Sequence, residues 1–571
     1  MEKINFLIVS LEKYWWLALI VFSIPAIWAL FIPGFYGASD DLHIGWLFEM
    51  DKVLRIGQIP PRFVPDLSFG FGYPLFNFVF PLPFYIGEIF HLLGLSLVDS
   101  VKGVFLVSLS LSAFTMFFLL KEFSSKFLSL AGSLIYLYTP YRSTDTYVRG
   151  AVGEALTFVF LPVLTLAFIK LTKFEEKKLN FKWIGIGSLS LLALTLSHNI
   201  TIYMFFPFCL LLGILMIIFH SKQKLKSILQ IFLTFFLGLL SGIYFWLPAL
   251  VDSGLMKYDT VFNFKDHFPT LLQLFKPYWG YGASVPGPYD GMSFFIGISN
   301  LILFASGIIL LFFYLKKYST LQKIILVWSI ISFLMAGLMM NYRSTFIWDN
   351  LPLLPYFQFP WRFLIITTFV TPIFIITLEE IKFNQFIGIF LIVLTILLSF
   401  NIFRPHDFLG RMDDYFLKRY IPTPIANKKY LEIQEEYLRL PLNTLYRPSK
   451  NYPLLNQQYP IIQNLKADAD LNSQFKTISS QSLTISYNKY LFPGWKVLVD
   501  NKNVPISPGS PFGQITFKVP SGAHKISIFF AETQLKILLD LISVFGIIVS
   551  LIFSFFKFSV GGKRLVSVLS R

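Results

Sequence analysis

The chain predicts an α-helical polytopic membrane protein with a small extracytoplasmic β-sandwich domain near its C-terminus, on three observations. Of 571 residues, 55% are hydrophobic and only 14% are charged, more apolar surface than a water-soluble chain of this length hides. Apolar runs of about 20 residues, enough to cross a bilayer at about 1.5 Å rise per residue, recur along most of the sequence. Between 404 and 535 the pattern turns polar and alternates with a period of two.

The apolar runs begin near residues 14, 103, 127, 154, 183, 201, 228, 293, 324, 361, 384 and 536, which predicts about twelve transmembrane helices. Residues 1–13 carry Lys3 and Lys13 ahead of the first run. That run is too long for a signal-peptide core and has no small-x-small cleavage site, so it reads as a retained anchor with a cytoplasmic N-terminus. The basic connections are Lys121 to Lys126, Lys170 to Lys182, Lys222 to Lys226, Lys316 to Lys323, Lys382 and the tail Lys557 to Arg571. All of them fall on the cytoplasmic side if Leu75 to Leu95, with Pro81, Pro83 and Glu88, stays outside without crossing. The C-terminus is then cytoplasmic too, and the large loops and β domain face outward from the cytoplasmic membrane.

The domain plan that follows is a transmembrane module over 1–403 with an outside loop at 34–102. An outside domain at 404–535 comes next, and a last transmembrane helix with a basic tail occupies 536–571. Within the outside domain Asp413 to Leu440 reads as a charged helical linker and about 475–533 as the β-sandwich. Ser482 to Tyr490 and Trp495 to Asp500 alternate, Asn501-Lys502-Asn503 supplies a turn, and Gln514 to Val519 and His524 to Phe530 flank a turn at Ser521-Gly522.

The net charge of +16 is spread over short connections instead of one basic face, so it predicts no nucleic-acid partner. The single Cys209 rules out an intramolecular disulfide and a cysteine zinc site. Sequences for nucleotide-driven transport, dinucleotide binding, zinc proteolysis and serine hydrolysis are absent.

Candidate chemistry gathers in the predicted outside segments. Ser39-Asp40-Asp41-Leu42-His43 opens an amphipathic stretch to Gly57 whose apolar residues Trp46, Leu47, Met50, Val53 and Leu54 follow helical spacing. Such a helix is expected to lie flat on the outer leaflet. Ser39, Asp40 and Asp41 either cap it or supply catalysis or a metal ligand, since one cap needs only one such residue. A second cluster runs Pro140-Tyr141-Arg142-Ser-Thr-Asp145-Thr-Tyr147-Val-Arg149-Gly150 to Glu154. It reads either as an ion-pair lattice, Arg149 with Glu154 for example, or as a phosphate clamp. His198-Asn199 breaks an apolar stretch, and Phe359-Pro360-Trp361-Arg362-Phe363 places an arginine at the start of a span, where snorkelling to the interface is the simplest reading. Lys276 to Tyr281 and Asp290 add aromatic rings of the kind that stack on sugars or line membrane belts.

With the acidic pair after the first span, Gly57 to Arg62 and the turn Gly72-Tyr73-Pro74-Leu75, the chain resembles the first external loop of GT-C glycosyltransferases, membrane enzymes that use polyprenyl-phosphate sugars. Tyr141-Arg142 to Glu154, Leu196-Ser197-His198-Asn199, Phe359 to Arg362 and Phe492-Pro-Gly-Trp495 look like a bacterial group labelled 6-pyruvoyl-tetrahydropterin synthase-related membrane proteins, although no soluble pterin-enzyme domain or zinc histidine cluster is present. The GT-C resemblance implies that Asp40 or Asp41 is the catalytic base, and that Arg142, Arg149 or Arg362 holds the lipid phosphate. His43, Asp145, Glu154 and His198 would support them. Its implied partners are a polyprenyl-phosphate sugar donor, membrane lipid and a glycan, lipid or protein acceptor. No cofactor is implied with certainty, and a divalent cation is left open because a second acidic metal motif is missing. The expected activity is sugar transfer outside the membrane. The rivals are a transporter or flippase for lipid-linked glycans, which needs polar residues in mid-span, and a noncatalytic envelope scaffold.

Overall fold

The computed structural model describes residues 2–173, 178–257, 263–421, 439–455, 462–468 and 471–555. Each of the twelve apolar runs falls on a helix. Among the described residues seven are long and apolar enough to cross a membrane: Leu97–Leu120, Val152–Lys173, Asn199–Phe219, Lys224–Ser241, Thr320–Met339, Pro360–Glu380 and Gln534–Phe555. The other five, starting at Trp15, Lys126, Phe181, Ile298 and Asn384, form shorter apolar helices of 10–17 residues. A further short one, Ile243–Leu255, is missing from the sequence reading because Gly242 divides a single apolar run into two.

Two helices form the centre. Pro360–Glu380 is wholly enclosed and Val152–Lys173 almost so, whereas Gln534–Phe555 lies at the margin with most of its surface open. The basic connections meet at one end of the bundle. Lys170 pairs with Glu122 at 2.5 Å, Gln322 donates to the Phe123 carbonyl at 2.9 Å, and Lys317 stands 3.9 Å from Glu380. The acidic pair, the 140–150 segment and the β domain lie at the opposite end.

The segment Leu75 to Leu95 holds two short helices, Leu75–Phe78 and Leu82–Leu92, both too short to span. The following helix begins at Leu97, inside the predicted 34–102 loop. Its N-terminus is capped by the Ser96 hydroxyl on the Asp99 amide and by the Asp413 carboxylate, which accepts from the Leu97 and Val98 amides at 2.9 Å each. Asp413 belongs to the helix Asp413–Tyr420; the rest of the predicted linker, 422–438, lies outside the described residues.

The helix His43–Arg55 does not lie on a leaflet. Besides its apolar residues, His43 and Glu49 are buried. Gly45 faces Tyr420 so closely that a Cβ there would stand 3.0 Å from the Tyr420 Cβ, and Gly87 brings Leu82–Leu92 against Leu47. Its polar residues meet other parts of the protein: His43 packs against Phe80 and Phe84, Lys52 pairs with Asp66 at 2.8 Å, and Glu49 lies in the field of Asp66 and Lys489.

Among the described residues the β domain has eight strands: β1 Ile462–Asp468, β2 Asn472–Ser479, β3 Leu483–Tyr490, β4 Trp495–Val499, β5 Lys502–Asn503, β6 Ser507–Gly509, β7 Gln514–Val519 and β8 Gly522–Phe530. They form a five-stranded sheet, β1-β2-β8-β4-β5, and a three-stranded sheet, β3-β7-β6, with every pairing antiparallel. The hairpin after β4 turns through Asp500 and Asn501, both in the left-handed region, as short polar turn residues tolerate. The sheets meet at Ser473 and Tyr487, whose hydroxyls are 2.9 Å apart, and at Tyr487 against Trp495. Alternating Phe475, Ile485, Val497, Ile515, Phe517, Ile526 and Ile528 fill the space between them.

The β domain is fastened to the first loop. Tyr490 N–H donates to Phe71 O at 2.8 Å, and the buried Lys489 ammonium donates to Pro65 O and Gly70 O at 2.9 and 2.8 Å. Below it Arg62 binds Asp540 at 2.7 Å, tying the last helix to the same loop, and Lys536 binds Asp252 at 2.9 Å, tying it to the end of the helix Ile243–Asp252. Gly72 makes this turn feasible. Its φ is +72°, and a Cβ would stand 2.3 Å from the Phe63 ring and 2.8 Å from Val64 O. Gly72→Ala is expected to cost about 2–4 kcal/mol, read as a lowered thermal unfolding midpoint of the detergent-purified protein; an unchanged midpoint refutes it.

Candidate functional site

The site is assembled by backbone pairing between two segments far apart in sequence. Ser39 N–H donates to Val148 O at 3.2 Å and Asp40 N–H to Arg149 O at 2.6 Å. The 140s segment is a short helix Pro140–Ser143 that widens into a π-helical turn, Thr144–Arg149, a geometry common at functional sites. Gly150 ends it at φ +75°, where a Cβ would approach Ala38 Cβ to 3.0 Å. The acidic pair and the arginine cluster therefore form one unit.

Asp40 and Asp41 separate into different environments. Neither caps the following helix, whose N-cap is Leu42 without a side-chain bond. Asp41 is buried, accepts a hydrogen bond from the Tyr420 hydroxyl, and has Arg419 at 3.6 Å. It anchors the helix Asp413–Tyr420. Asp40 as a residue is half-buried, and its carboxyl lies in the field of Arg149, Arg362 and Glu154. Burial raises its pKa above the usual aspartate value, while Arg149 and Arg362 oppose the shift. Burial also raises that of Asp41, opposed by the Tyr420 bond and Arg419.

Arg149 and Arg362 flank Glu154. Arg149 bonds Asp145 at 2.5 Å and Glu154 at 2.9 Å, and its guanidinium stacks 4.8 Å above the Trp361 ring. Tyr141 donates a hydrogen bond to the other Glu154 oxygen. Arg362 Nε is 3.6 Å from Glu154, and its terminal nitrogen donates to Phe357 O at 2.6 Å. Arg362 is thus buried in the site instead of snorkelling: it opens one central helix and Glu154 opens the other, and the two starts are adjacent. Arg149 is nearly neutralised by two carboxylates, while Arg362 Nε has no hydrogen-bond partner among the described residues.

His43 and His198 complete the wall on either side of Phe80, whose ring centroid is 6.5 Å from the first and 5.3 Å from the second. His198 is an extended residue between two helices, held by Nδ1 to Thr201 at 2.8 Å. Its turn is close-packed: a Cβ on Gly153 would stand 2.3 Å from the Phe80 ring and 2.6 Å from Ser197 O. Burial, then Arg149, lowers the His43 pKa to about 3, so that its imidazole is neutral. Its Nδ1 is buried without a hydrogen-bond partner among the described residues. His43, Arg149, His198 and Arg362 each keep 6–8% of their surface open, a small polar aperture bordered by Asp40.

Arg142 stands apart. It is buried against the helix Leu97–Leu120, bonded to Ser112 at 2.8 Å and stacked 4.4 Å over Phe158, so it joins helices instead of facing the aperture. Asp145 is buried beneath Arg149. Asp290 serves its own loop, accepting from Ser284 and Gln273 at 2.9 Å. Among the described residues no three His, Cys, Asp or Glu converge as a metal-binding group. Phe80 and Tyr420 escape the sequence reading, whereas Trp361 and Tyr141 sit in the polar runs that drew attention; Tyr420 lies 379 residues from its partner Asp41 and leaves no local signal.

No family model matches the chain. It is 27% identical over 238 residues to an uncharacterized protein of Lactococcus lactis subsp. cremoris, a stretch that covers 39% of this chain and 38% of the relative. Two solved structures of the Archaeoglobus fulgidus oligosaccharyltransferase are similar at 12% identity. The apo form matches with a TM-score of 0.42 over 78% of this chain and 62% of that one. The form tethered by a disulfide to an acceptor peptide containing the NVT sequon matches with a TM-score of 0.40 over 73% and 60%. In each case the match spans less than two thirds of the relative.

Proposed function

We propose that the protein is a GT-C-type membrane glycosyltransferase that moves a sugar from a polyprenyl-phosphate carrier to an acceptor hydroxyl on the outer side of the cytoplasmic membrane. The observation that carries this reading is the asymmetry of the acidic pair: Asp41 is committed to Tyr420 and Arg419, while Asp40 is left half-open beside Arg149 and Arg362. A carboxylate with a raised pKa is a suitable base for a hydroxyl proton. In the proposed step the acceptor oxygen attacks the anomeric carbon as its proton passes to Asp40. The bond from that carbon to the phosphate oxygen breaks with inversion, and the charge growing on the lipid phosphate is met by fixed cations.

Arg362 is the better candidate for the phosphate, since Arg149 is already occupied by Asp145 and Glu154. Arg149 then holds Glu154, and Glu154 holds Arg362, so the lattice that was an alternative to the clamp becomes its support. His43, with its free buried nitrogen, is placed to bond the sugar or the acceptor. Mass spectrometry of surface glycans and envelope lipids from cells with and without the protein tests the reading. The expected result is an acceptor one sugar shorter in its absence, matched by turnover of a polyprenyl-phosphohexose by the purified protein in vesicles; identical glycans and lipids together with no turnover refute it.

A further inference from the structure

Next to the acidic pair lies a second open space, a cleft of about 660 Å³ lined among others by Ser39, Val148, Tyr281, Gly282, His406 and Asp407. Its lining includes the backbone pairings of Ser39 with Val148 and of Gly37 with Asp407, the first of them next to the bond from Asp40 N–H to Arg149 O. Its far wall is bare peptide. A Cβ on Gly280 would stand 2.2 Å from Gly291 O, and one on Gly282 would stand 2.7 Å from Gly291 Cα, so the crossing of these strands excludes side chains. At the rim the Tyr281 ring meets His406 edge-on at 5.1 Å, and its hydroxyl donates to Arg404 O at 3.1 Å. His406 Nδ1 lies 2.7 Å from the Asp407 carboxylate, which is more than half exposed.

We infer that this cleft binds a saccharide and holds the acceptor, so that the acceptor is a glycan; the inference rests on the transferase reading for the word acceptor, though not for the binding. The volume suits a small polar ligand. A pyranose offers a C–H face to an aromatic ring and adjacent hydroxyls to a carboxylate and to peptide groups, and the cleft presents those three surfaces together. It lacks what other ligands need. The described lining contains no Lys or Arg to meet a phosphate, and its apolar residues are only Ala38, Val148 and Ala283, too shallow to hold peptide side chains. Ser39 belongs to the lining, and the proposed base Asp40 is the next residue along the chain.

The test uses the full-length Asp40→Asn protein in lipid nanodiscs, which separates binding from turnover, and saturation-transfer NMR with N,N′-diacetylchitobiose, maltotriose and a neutral capped hexapeptide as probes. Saturation of the ring protons of at least one saccharide is expected, with binding at least tenfold weaker in Tyr281→Ala and in Asp407→Asn and retained in Tyr281→Phe. Saturation of neither saccharide, of the peptide alone, or of saccharide equally in Tyr281→Ala overturns the inference. If the wild-type protein transfers no sugar yet the saccharide binds with this mutational pattern, the transferase reading fails and the binding cleft stands. If it transfers sugar while Tyr281→Ala alters neither binding nor the acceptor KM, the cleft assignment fails alone.

Discussion

Asp40→Asn is expected to lower sugar transfer by about 10²–10⁴-fold, the range typical of losing a positioned general base, while leaving the unfolding midpoint within a few degrees of wild type. Nothing in the fold hangs on this carboxylate. It caps no helix, and its raised pKa shows that the surroundings disfavour its charge. Asp41→Ala should behave in the opposite way, with a smaller effect on rate and a loss of about 1–3 kcal/mol in stability as the buried Tyr420 hydroxyl and Arg419 lose their acceptor. The pH dependence follows from the same shift. Transfer needs the ionised Asp40, so activity falls as pH drops through a value above that of an ordinary aspartate. Stability moves the other way: both carboxyls bind a proton more tightly folded than unfolded, so they favour the fold at acid pH and lose that contribution as pH rises through the raised values. Full transfer activity in Asp40→Asn, measured in reconstituted vesicles, would sink the assignment.

Arg149→Met is expected to unfold the site end of the bundle rather than merely slow the reaction. Removing the guanidinium leaves Asp145 and Glu154 buried without their partner, and an ion pair broken on one side in a buried setting costs about 3–5 kcal/mol. Trp361 also loses the cation above its ring. The triple variant Arg149→Met, Asp145→Asn, Glu154→Gln removes the two stranded carboxylates and should recover part of the midpoint, the remainder being the cost of leaving the buried Arg362 without Glu154. Its transfer rate should stay low, since Arg362 then lacks Glu154 as its counter-charge. Heating the detergent-purified variants and following the monomer by size-exclusion chromatography separates these outcomes; a single variant as stable as wild type would show that the carboxylates take up protons at little cost.

Some of the site is legible along the chain because its signal is local. Charge is expensive between apolar spans, so Arg149, Glu154, His198 and Arg362 stand out, and each reaches the same end of the bundle. Arg142 stands out equally and goes elsewhere, since Ser108 and Ser112 on a neighbouring helix accept its guanidinium. The flat interfacial helix also misleads. Its amphipathic spacing is real, but its polar residues meet Asp66, Phe80 and Phe84, and a hydrophobic wheel does not reveal what packs against the other side. In the β domain the alternating strands β3, β4, β7 and β8 announce themselves, whereas β2 is legible only in its second half, with polar residues Asn472, Ser473, Gln474 and Lys476 that disguise the period.

By itself the sequence determined the class of molecule: apolar run length, the placement of basic connections and period-two alternation each follow from the solvent a segment meets, and these are properties of short stretches. Only the tertiary structure decided how two adjacent, chemically identical carboxylates differ. Asp41 turns toward Tyr420 and Arg419, nearly 380 residues along the chain, while Asp40 remains open beside Arg149 and Arg362, and a pairing of that kind depends on how distant segments pack, which neighbouring residues do not encode.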